Sequence, residues 1–442
     1  MEHIKISTNL GEIVGNVRPN CYEFLGIKYG NAKRFEYSTL VDKFDGIYDA
    51  TKNGKTCVQK RQFYPHYENK ERLFFYNEFR KDIVFSYSED CLNLNIYTPK
   101  KKGKYPVIVF IHGGGFDSGS IYESNVDGDC YGKRDVIYVS IEYRVGIFGY
   151  LTNEQLNKEQ GFDGNYGLDD QYKAILWVKK HIKDFNGDPD NITLMGQSAG
   201  AISIQYLCLS EKCKGLFKKA IMMSGAGKFP NFALPRPCEE TREYWDEVIK
   251  LAGCKDIHEL QKVDHQTLFN AIEHQRITRK DNTYHNMPVI DHNYITDSIA
   301  NMIQNPLPDI RYMIGFTNND MYALIMASIG MDYANKNKGY VYYFDINAKG
   351  DKNKAFHSSD LHYVTETLNK SWRPYDKNDY KTASLMVDYI ANFAKNGDPN
   401  DVGLPKWEIK KNQAMIFSSK GNYMGRPSKF RLLINTIFGG IK

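Results

Sequence analysis

The 442-residue chain has no apolar run near the ~18 residues that a membrane-spanning helix requires. Its first residues, "MEHIKISTNLGEIVGN", lack the apolar core of a signal peptide, so a cytoplasmic protein with no membrane partner is expected. The net charge of +5 is small for this length and argues against a nucleic-acid partner. The eight cysteines show no metal-ligand spacing. Internal repeats and low-complexity tracts are absent too.

Hydrophobic residues make up 42%, enough for a large core. The 32 Tyr and 24 Phe suit an aromatic-lined cleft, but the chain is also rich in Lys, Asn and Ile, and a general compositional bias accounts for them better. In the first third, "YEFLGIKYG", "LNLNIYTP", "YPVIVFIH" and "VIYVSIEYR" read as strands. Val107–Ile111 and Val136–Ile141 are continuous apolar runs, as expected for strands covered on both faces of a largely parallel sheet. "GLDDQYKAILWVKKHIKDF" reads as a helix with Leu168, Tyr172, Ile175, Leu176 and Ile182 on one face. Further strands follow at "LFKKAIMMSG", "RYMIGFT" and "YVYYFDI". Residues 230–310 are mostly helical and polar, with turns at Pro235, Pro237 and Pro288, and read as an excursion from the sheet. Late in the chain, Met386, Tyr389, Ile390 and Phe393 mark an amphipathic helix stopped at Gly397-Asp398-Pro399. Alternating strands and helices predict an α/β fold, a single domain over 1–442.

"NITLMGQSAGAISIQY", Asn191 to Tyr206, places a serine between two glycines where a buried strand gives way to a helix. A chain that reverses sharply needs residues without bulk on both sides of the bend, which Gly196 and Gly200 supply. Ser198 at the apex is then exposed and strained, as in the nucleophile elbow of serine hydrolases.

Such a serine needs a base, a group to orient the base, and donors for an oxyanion, in the chain order serine, acid, histidine. Downstream of "RYMIGFT" only His357 and His362 remain, and His357 lies on a loop soon after the strand "YVYYFDI". His362, five residues on, reads equally as a solvated turn or helix residue. Asp320, five residues beyond Gly315, sits where the acid belongs; alone it would pass for a turn aspartate. The strand "VIVFI" runs into His112-Gly113-Gly114-Gly115-Phe116, whose consecutive glycines cost backbone entropy and so point to a functional loop. A phosphate cradle would end in Gly-Lys-Ser/Thr, which this loop does not.

At this point the chain resembles the type-B carboxylesterases, the family of cholinesterases and para-nitrobenzyl esterases. The likeness runs through "SEDCLNLNIYTP", "HGGGF", "EYRVGIFGYL", the elbow, "VIDHNYI", "AFHSSDLHYV" and "NFAKNGDPND", in order. It implies the α/β-hydrolase fold, a mostly parallel sheet flanked by helices with helical insertions after the nucleophile. It implies Ser198 as nucleophile, His357 as base, and oxyanion donors from the backbone of Gly114, Gly115 and Ala199. The implied activity is hydrolysis of small-molecule carboxylic esters through an acyl-enzyme, without metal or cofactor.

The departures concern the surroundings of the serine. The family's usual acid is glutamate, and Asp320 stands at that position. Gln197 replaces the glutamate often found before the serine, and Asp360 a glutamate after the histidine. Only 37 positions separate Asp320 from His357, so a helical part of the pocket wall is expected to be missing. The family's first disulfide pair matches Cys57 and Cys91, which a reducing cytoplasm would keep as thiols. Cholinesterases carry a choline-binding tryptophan between those cysteines, but here Phe63, Tyr64, Tyr67, Phe74, Phe75, Tyr76 and Phe79 stand there instead. A neutral ester with an apolar or aromatic group is therefore expected, with a hydroxycinnamoyl or sugar acetyl ester as the alternative. The rival from another class is a non-catalytic binding module on the same fold.

Overall fold

Val107, Val109 and Ile111 face one hydrophobic core while Ile108 and Phe110 face another, and all five are buried. That is the geometry of a strand packed on both sides, where successive side chains alternate between two covered faces. The computed structural model describes residues 2–60, 65, 67–228, 234–279 and 285–439.

In chain order the strands are β1 His3–Thr8, β2 Gly11–Val17, β3 Cys21–Lys28, β4 Asn93–Pro99, β5 Tyr105–Ile111 and β6 Ile137–Ile141. They continue with β7 Gly187–Gln197, β8 Lys219–Met223, β9 Arg311–Thr317, β10 Tyr340–Asp345, β11 Ala414–Ser418 and β12 Gly421–Gly425. They form one sheet in the order β1-β2-β3-β4-β6-β5-β7-β8-β9-β10-β11-β12, with Ile47–Asp49 pairing against β2. From β6 to β11 every neighbouring pair is parallel, and the antiparallel pairs lie at the two ends. Parallel strands share a carboxyl edge, where open α/β sheets place their sites. Ile111 pairs with Gly196, Gln197 with Met223, and Met223 with Gly315, so the loops after β5, β7, β8 and β9 emerge side by side.

The main helices are α1 Lys70–Phe79, α2 Tyr166–His181, α3 Ala199–Leu209, α4 Cys238–Leu251, α5 His265–Arg279, α6 Ala323–Lys336, α7 Lys377–Asn396 and α8 Lys429–Phe438. Helix α2 buries Leu168, Ile175 and, in the following 3-10 turn, Ile182. It also buries Ala174, Trp177 and Val178, while Tyr172 and Leu176 are half-buried. The covered stripe is thus wider than the expected one and is centred away from Tyr172 and Leu176. Helix α7 ends as expected: Gly397 caps it in the left-handed conformation at φ 72°.

The helices of the 230–310 excursion return to the body. Tyr244, Trp245, Val248 and Phe269 share a core with Phe35, Ile147, Phe148 and Tyr166. The segment "EYRVGIFGYL" is held by a buried ion pair, Arg144 Nε to Asp170 Oδ2 at 2.7 Å and Nη2 to Oδ1 at 2.8 Å. Both charges are paired in two-pronged geometry; removing one partner typically costs about 3–5 kcal/mol. Arg144 therefore fixes the start of α2 against the loop after β6. Among the described residues no helix is long and apolar enough to cross a membrane.

Candidate active site

Ser198 sits at the junction of β7 and α3 with φ 55° and ψ −126°, a conformation that costs a non-glycine residue on the order of 1–3 kcal/mol. The surroundings hold it there: Ser198 N–H donates to Met223 O at 2.8 Å, and Ile202 N–H donates to Ser198 O at 3.0 Å. Gly200 is obligatory, since a Cβ on it would lie 2.1 Å from Ile111 O. The serine side chain is half-buried at the floor of a cavity of about 580 Å³.

Asp320 and His357 come together through the backbone. Asn319 and Phe356, the residues before them, form a parallel bridge, and Asn319 N–H donates to Ala355 O at 2.8 Å. The next residue on each strand-like segment is thereby set beside its counterpart, and His357 Nδ1 lies 2.5 Å from Asp320 Oδ1. This close backbone approach makes up for the methylene that aspartate lacks relative to glutamate. The rest of the carboxylate is satisfied too: Oδ2 accepts from Ser224 Oγ at 2.5 Å and from Thr317 N–H at 3.1 Å, and Oδ1 accepts from Met321 N–H at 2.9 Å. Burial alone would raise the Asp320 carboxyl, but the charge and hydrogen bond of His357, with the Ser224 hydroxyl, hold it below the usual value. Burial likewise works against a charged His357, yet Asp320 prevails and raises the imidazole above its ordinary 6.5.

With Nδ1–H given to Asp320, the His357 Nε2 lone pair is left to accept, and the Gln197 amide donates to it at 3.2 Å. Among the described residues that amide, not Ser198 Oγ, is the hydrogen-bond partner of Nε2. Ser198 and His357 both border the same cavity. His362 is elsewhere: it is buried, with Nδ1 2.8 Å from Thr367 Oγ1. Asp360 does not touch the imidazole; its Oδ2 accepts from Tyr342 OH at 2.6 Å. Burial pushes the Asp360 carboxyl up to about 6.

The glycine loop after β5 closes over the serine. Gly114 has φ 118°, and a Cβ on it would lie 1.9 Å from Ser118 O. Its carbonyl takes Asp117 N–H and Ser118 N–H, which turns the loop tightly. Gly114, Gly115 and Ala199 all line the cavity, and no acceptor among the described residues takes their N–H groups.

The cavity wall is largely apolar, with Phe75, Phe79, Phe110, Phe116 and Phe356. Of the aromatics between Cys57 and Cys91, Phe75 and Phe79 reach it. Phe74 packs edge-on against Phe356 at 4.9 Å, and Tyr67 is solvent-exposed. Phe63 and Tyr64 lie outside the described residues. Arg80 and Glu123 also line the cavity but neutralise each other at 3.0 Å. Among the described residues no cluster of three or more His, Cys, Asp or Glu side chains is placed to hold a metal ion.

Ser224 is the site residue that the sequence reading missed. Its signal was positional: a hydroxyl directly after the strand beside the elbow strand, followed by Gly225. Gln197 departs from the family pattern in the sequence, and its contact with His357 depends on the fold bringing residues 160 positions apart together.

Comparison with known proteins gives this geometry a context. The family model described as "Carboxylesterase family" matches residues 2–338 and 325–424. The chain is 30% identical over 407 residues to gut esterase 1 of Caenorhabditis briggsae, covering 89% of this chain and 65% of that protein. It is 30% identical over 333 residues to para-nitrobenzyl esterase of Bacillus subtilis (strain 168), covering 73% of this chain and 64% of that one. The chain thus spans just under two thirds of the length of these relatives. A solved PNB esterase structure superposes with a TM-score of 0.84 at 24% identity, covering 98% of this chain and 99% of the other. The shared architecture is the α/β-hydrolase fold. On the extent of the family match, this chain belongs to the carboxylesterase family.

Proposed function

We propose that the chain hydrolyses neutral carboxylic esters by serine catalysis, with Ser198 as nucleophile, His357 as general base and Asp320 as the orienting acid. The observation that carries the reading is the 2.5 Å Asp320–His357 pair beside a strained Ser198, all on the wall of one cavity. His357 takes the hydroxyl proton at Nε2 as Ser198 Oγ attacks the ester carbonyl. Asp320 keeps Nδ1 protonated and stabilises the imidazolium that forms. The N–H groups of Gly114, Gly115 and Ala199 receive the oxyanion, each donor being worth ~3 kcal/mol in comparable sites. The alcohol leaves with the proton from His357, and water, activated by the same base, releases the acid from the acyl-enzyme.

For this step Gln197 has to yield its hydrogen bond on Nε2 to the Ser198 hydroxyl. The aromatic wall favours an ester with an apolar or aromatic group; the Arg80–Glu123 pair adds no net charge to it, and the exposed Glu71 on the same wall disfavours an anionic one. The purified protein, assayed with para-nitrophenyl, naphthyl and feruloyl esters, tests the reading. Turnover of short nitrophenyl and naphthyl esters supports it. Activity confined to feruloyl esters moves the assignment to hydroxycinnamoyl esters, and no hydrolysis of any ester leaves a binding module.

A further inference from the structure

Helix α8 is oriented against its own polarity. It buries Leu432 and the polar Asn435, whose amide donates to Asn318 O at 2.8 Å, and presents Phe430 (72% exposed), Leu433 (44%) and Ile437 (61%) to solvent. Positions 430, 433 and 437 fall on one helical stripe, so the three apolar side chains stand in a row on a convex surface. Exposing such a row costs stability that burial on some partner would recover.

The charge around the row identifies the partner. After Glu408 the sequence has no acidic residue, whereas Lys410, Lys411, Lys420, Arg426, Lys429, Arg431 and Lys442 all follow. Lys429 and Arg431 lie on α8 itself, and Arg426 just precedes it; all three are exposed. Asp345 neutralises Arg431 in a two-pronged ion pair at 2.7 and 3.0 Å, so Lys429 and Arg426 are the cations beside the row with no acidic partner among the described residues. The exposed Tyr423 sits on the adjacent edge strand β12. A two-fold dimer through this face would set two copies of the same basic helix against each other, and like charges would oppose it. A protruding apolar row flanked by Lys and Arg matches instead the boundary between acyl chains and negatively charged headgroups.

We propose that α8 docks the protein, without spanning, on an anionic phospholipid surface, inserting Phe430, Leu433 and Ile437 between headgroups. This departs from the expectation of no membrane partner, which rested on the absence of a spanning segment. The docking does not depend on the ester-hydrolase reading. Its consequence for that reading is geometric: Leu324 N–H donates to Thr436 Oγ1 at 2.8 Å, joining the end of α8 to the segment that carries Met321 and Tyr322, both on the cavity wall and both exposed. Thr436 thus places α8 beside the rim of the cavity.

The test is co-sedimentation of the full chain with vesicles of phosphatidylglycerol and phosphatidylcholine, beside vesicles of phosphatidylcholine alone. The expected result is binding to the anionic vesicles, weakened by added salt, and at least tenfold less binding to the neutral ones. The triple variant Phe430→Ser, Leu433→Ser, Ile437→Ser should lose at least tenfold in binding while melting where wild type does. Phe430→Trp offers a second readout that keeps the row apolar: its fluorescence should be quenched by brominated acyl chains. The proposal is overturned if wild type ignores anionic vesicles, if the triple variant binds as wild type does, or if the tryptophan is not quenched. It is equally overturned if light scattering shows a wild-type dimer that the triple variant dissolves, because the row is then an interface between copies.

Discussion

The Gln197 amide lies 3.2 Å from His357 Nε2, the atom that accepts the serine proton in the proposed mechanism. With Nδ1–H given to Asp320, a carboxylate there would accept a hydrogen bond from Nε2 only once the imidazole is doubly protonated and would favour that form; a neutral amide donates to the free lone pair. Gln197→Glu is therefore expected to raise the His357 pKa further and move the acid limb of kcat/KM to higher pH. The check is a pH–rate profile of both proteins on one nitrophenyl ester. An unmoved limb would mean that the contact has no part in catalysis.

The sign of the wild-type profile follows from the same imidazole. As the proposed base, His357 works only when neutral, and Asp320 raises its pKa above 6.5, so kcat/KM should fall as pH drops through a value above 6.5. Asp360 contributes to that rise through its charge. Asp360→Asn should leave most of kcat and shift the acid limb downward. Asp320→Asn should lower kcat by up to ~10⁴, through loss of the tautomer with Nδ1–H. Thermal melts exclude misfolding. If Asp360→Asn is the dead enzyme and Asp320→Asn the active one, the acid has been misassigned.

Ser224 donates a hydrogen bond at 2.5 Å to a fully buried carboxylate. Bonds to charged groups are worth about 1.5–3 kcal/mol. Ser224→Ala should therefore loosen Asp320 and reduce kcat about tenfold or more, with KM little changed. An effect on KM alone would place Ser224 against substrate instead.

We propose a reducing compartment for this protein, in which Cys57 and Cys91 are thiols. All eight cysteines are free and buried in the structure. Rapid alkylation of intact cells followed by mass spectrometry should find both residues alkylated after unfolding. A bridged peptide would point to an oxidising compartment, and the bridge would add about 4 kcal/mol of stability in the chain-entropy account.

Local chemistry made much of this legible in the sequence. A run such as Val107–Ile111 has only one comfortable environment, and the Gly196 and Gly200 flanks of Ser198 are demanded by backbone contacts within a few residues. Chain order then narrowed the histidines to two, and the buried His362 shows why the loop position of His357 was the better guide. What stayed hidden depends on register between distant segments. That Asp320 reaches His357 follows from the Asn319–Phe356 bridge, and that Ser224 reaches Asp320 follows from β8 lying beside β9. Neither neighbour relation leaves a mark on local sequence. The apolar row of α8 was written in the sequence all along, but periodicity shows only that a helix has a face, not which way the fold turns it.

The central claim is that Ser198 carries the acyl group, and one comparison tests it most directly: para-nitrophenyl acetate hydrolysis by wild type and Ser198→Ala, each shown folded by its melt. The change removes a single oxygen from a half-buried side chain on the cavity wall, so the variant should fold normally and lose at least ~10³-fold in kcat, with no covalent acyl adduct in the mass spectrum of the quenched reaction. A folded Ser198→Ala protein that still hydrolyses the ester at a rate comparable to wild type would contradict the account.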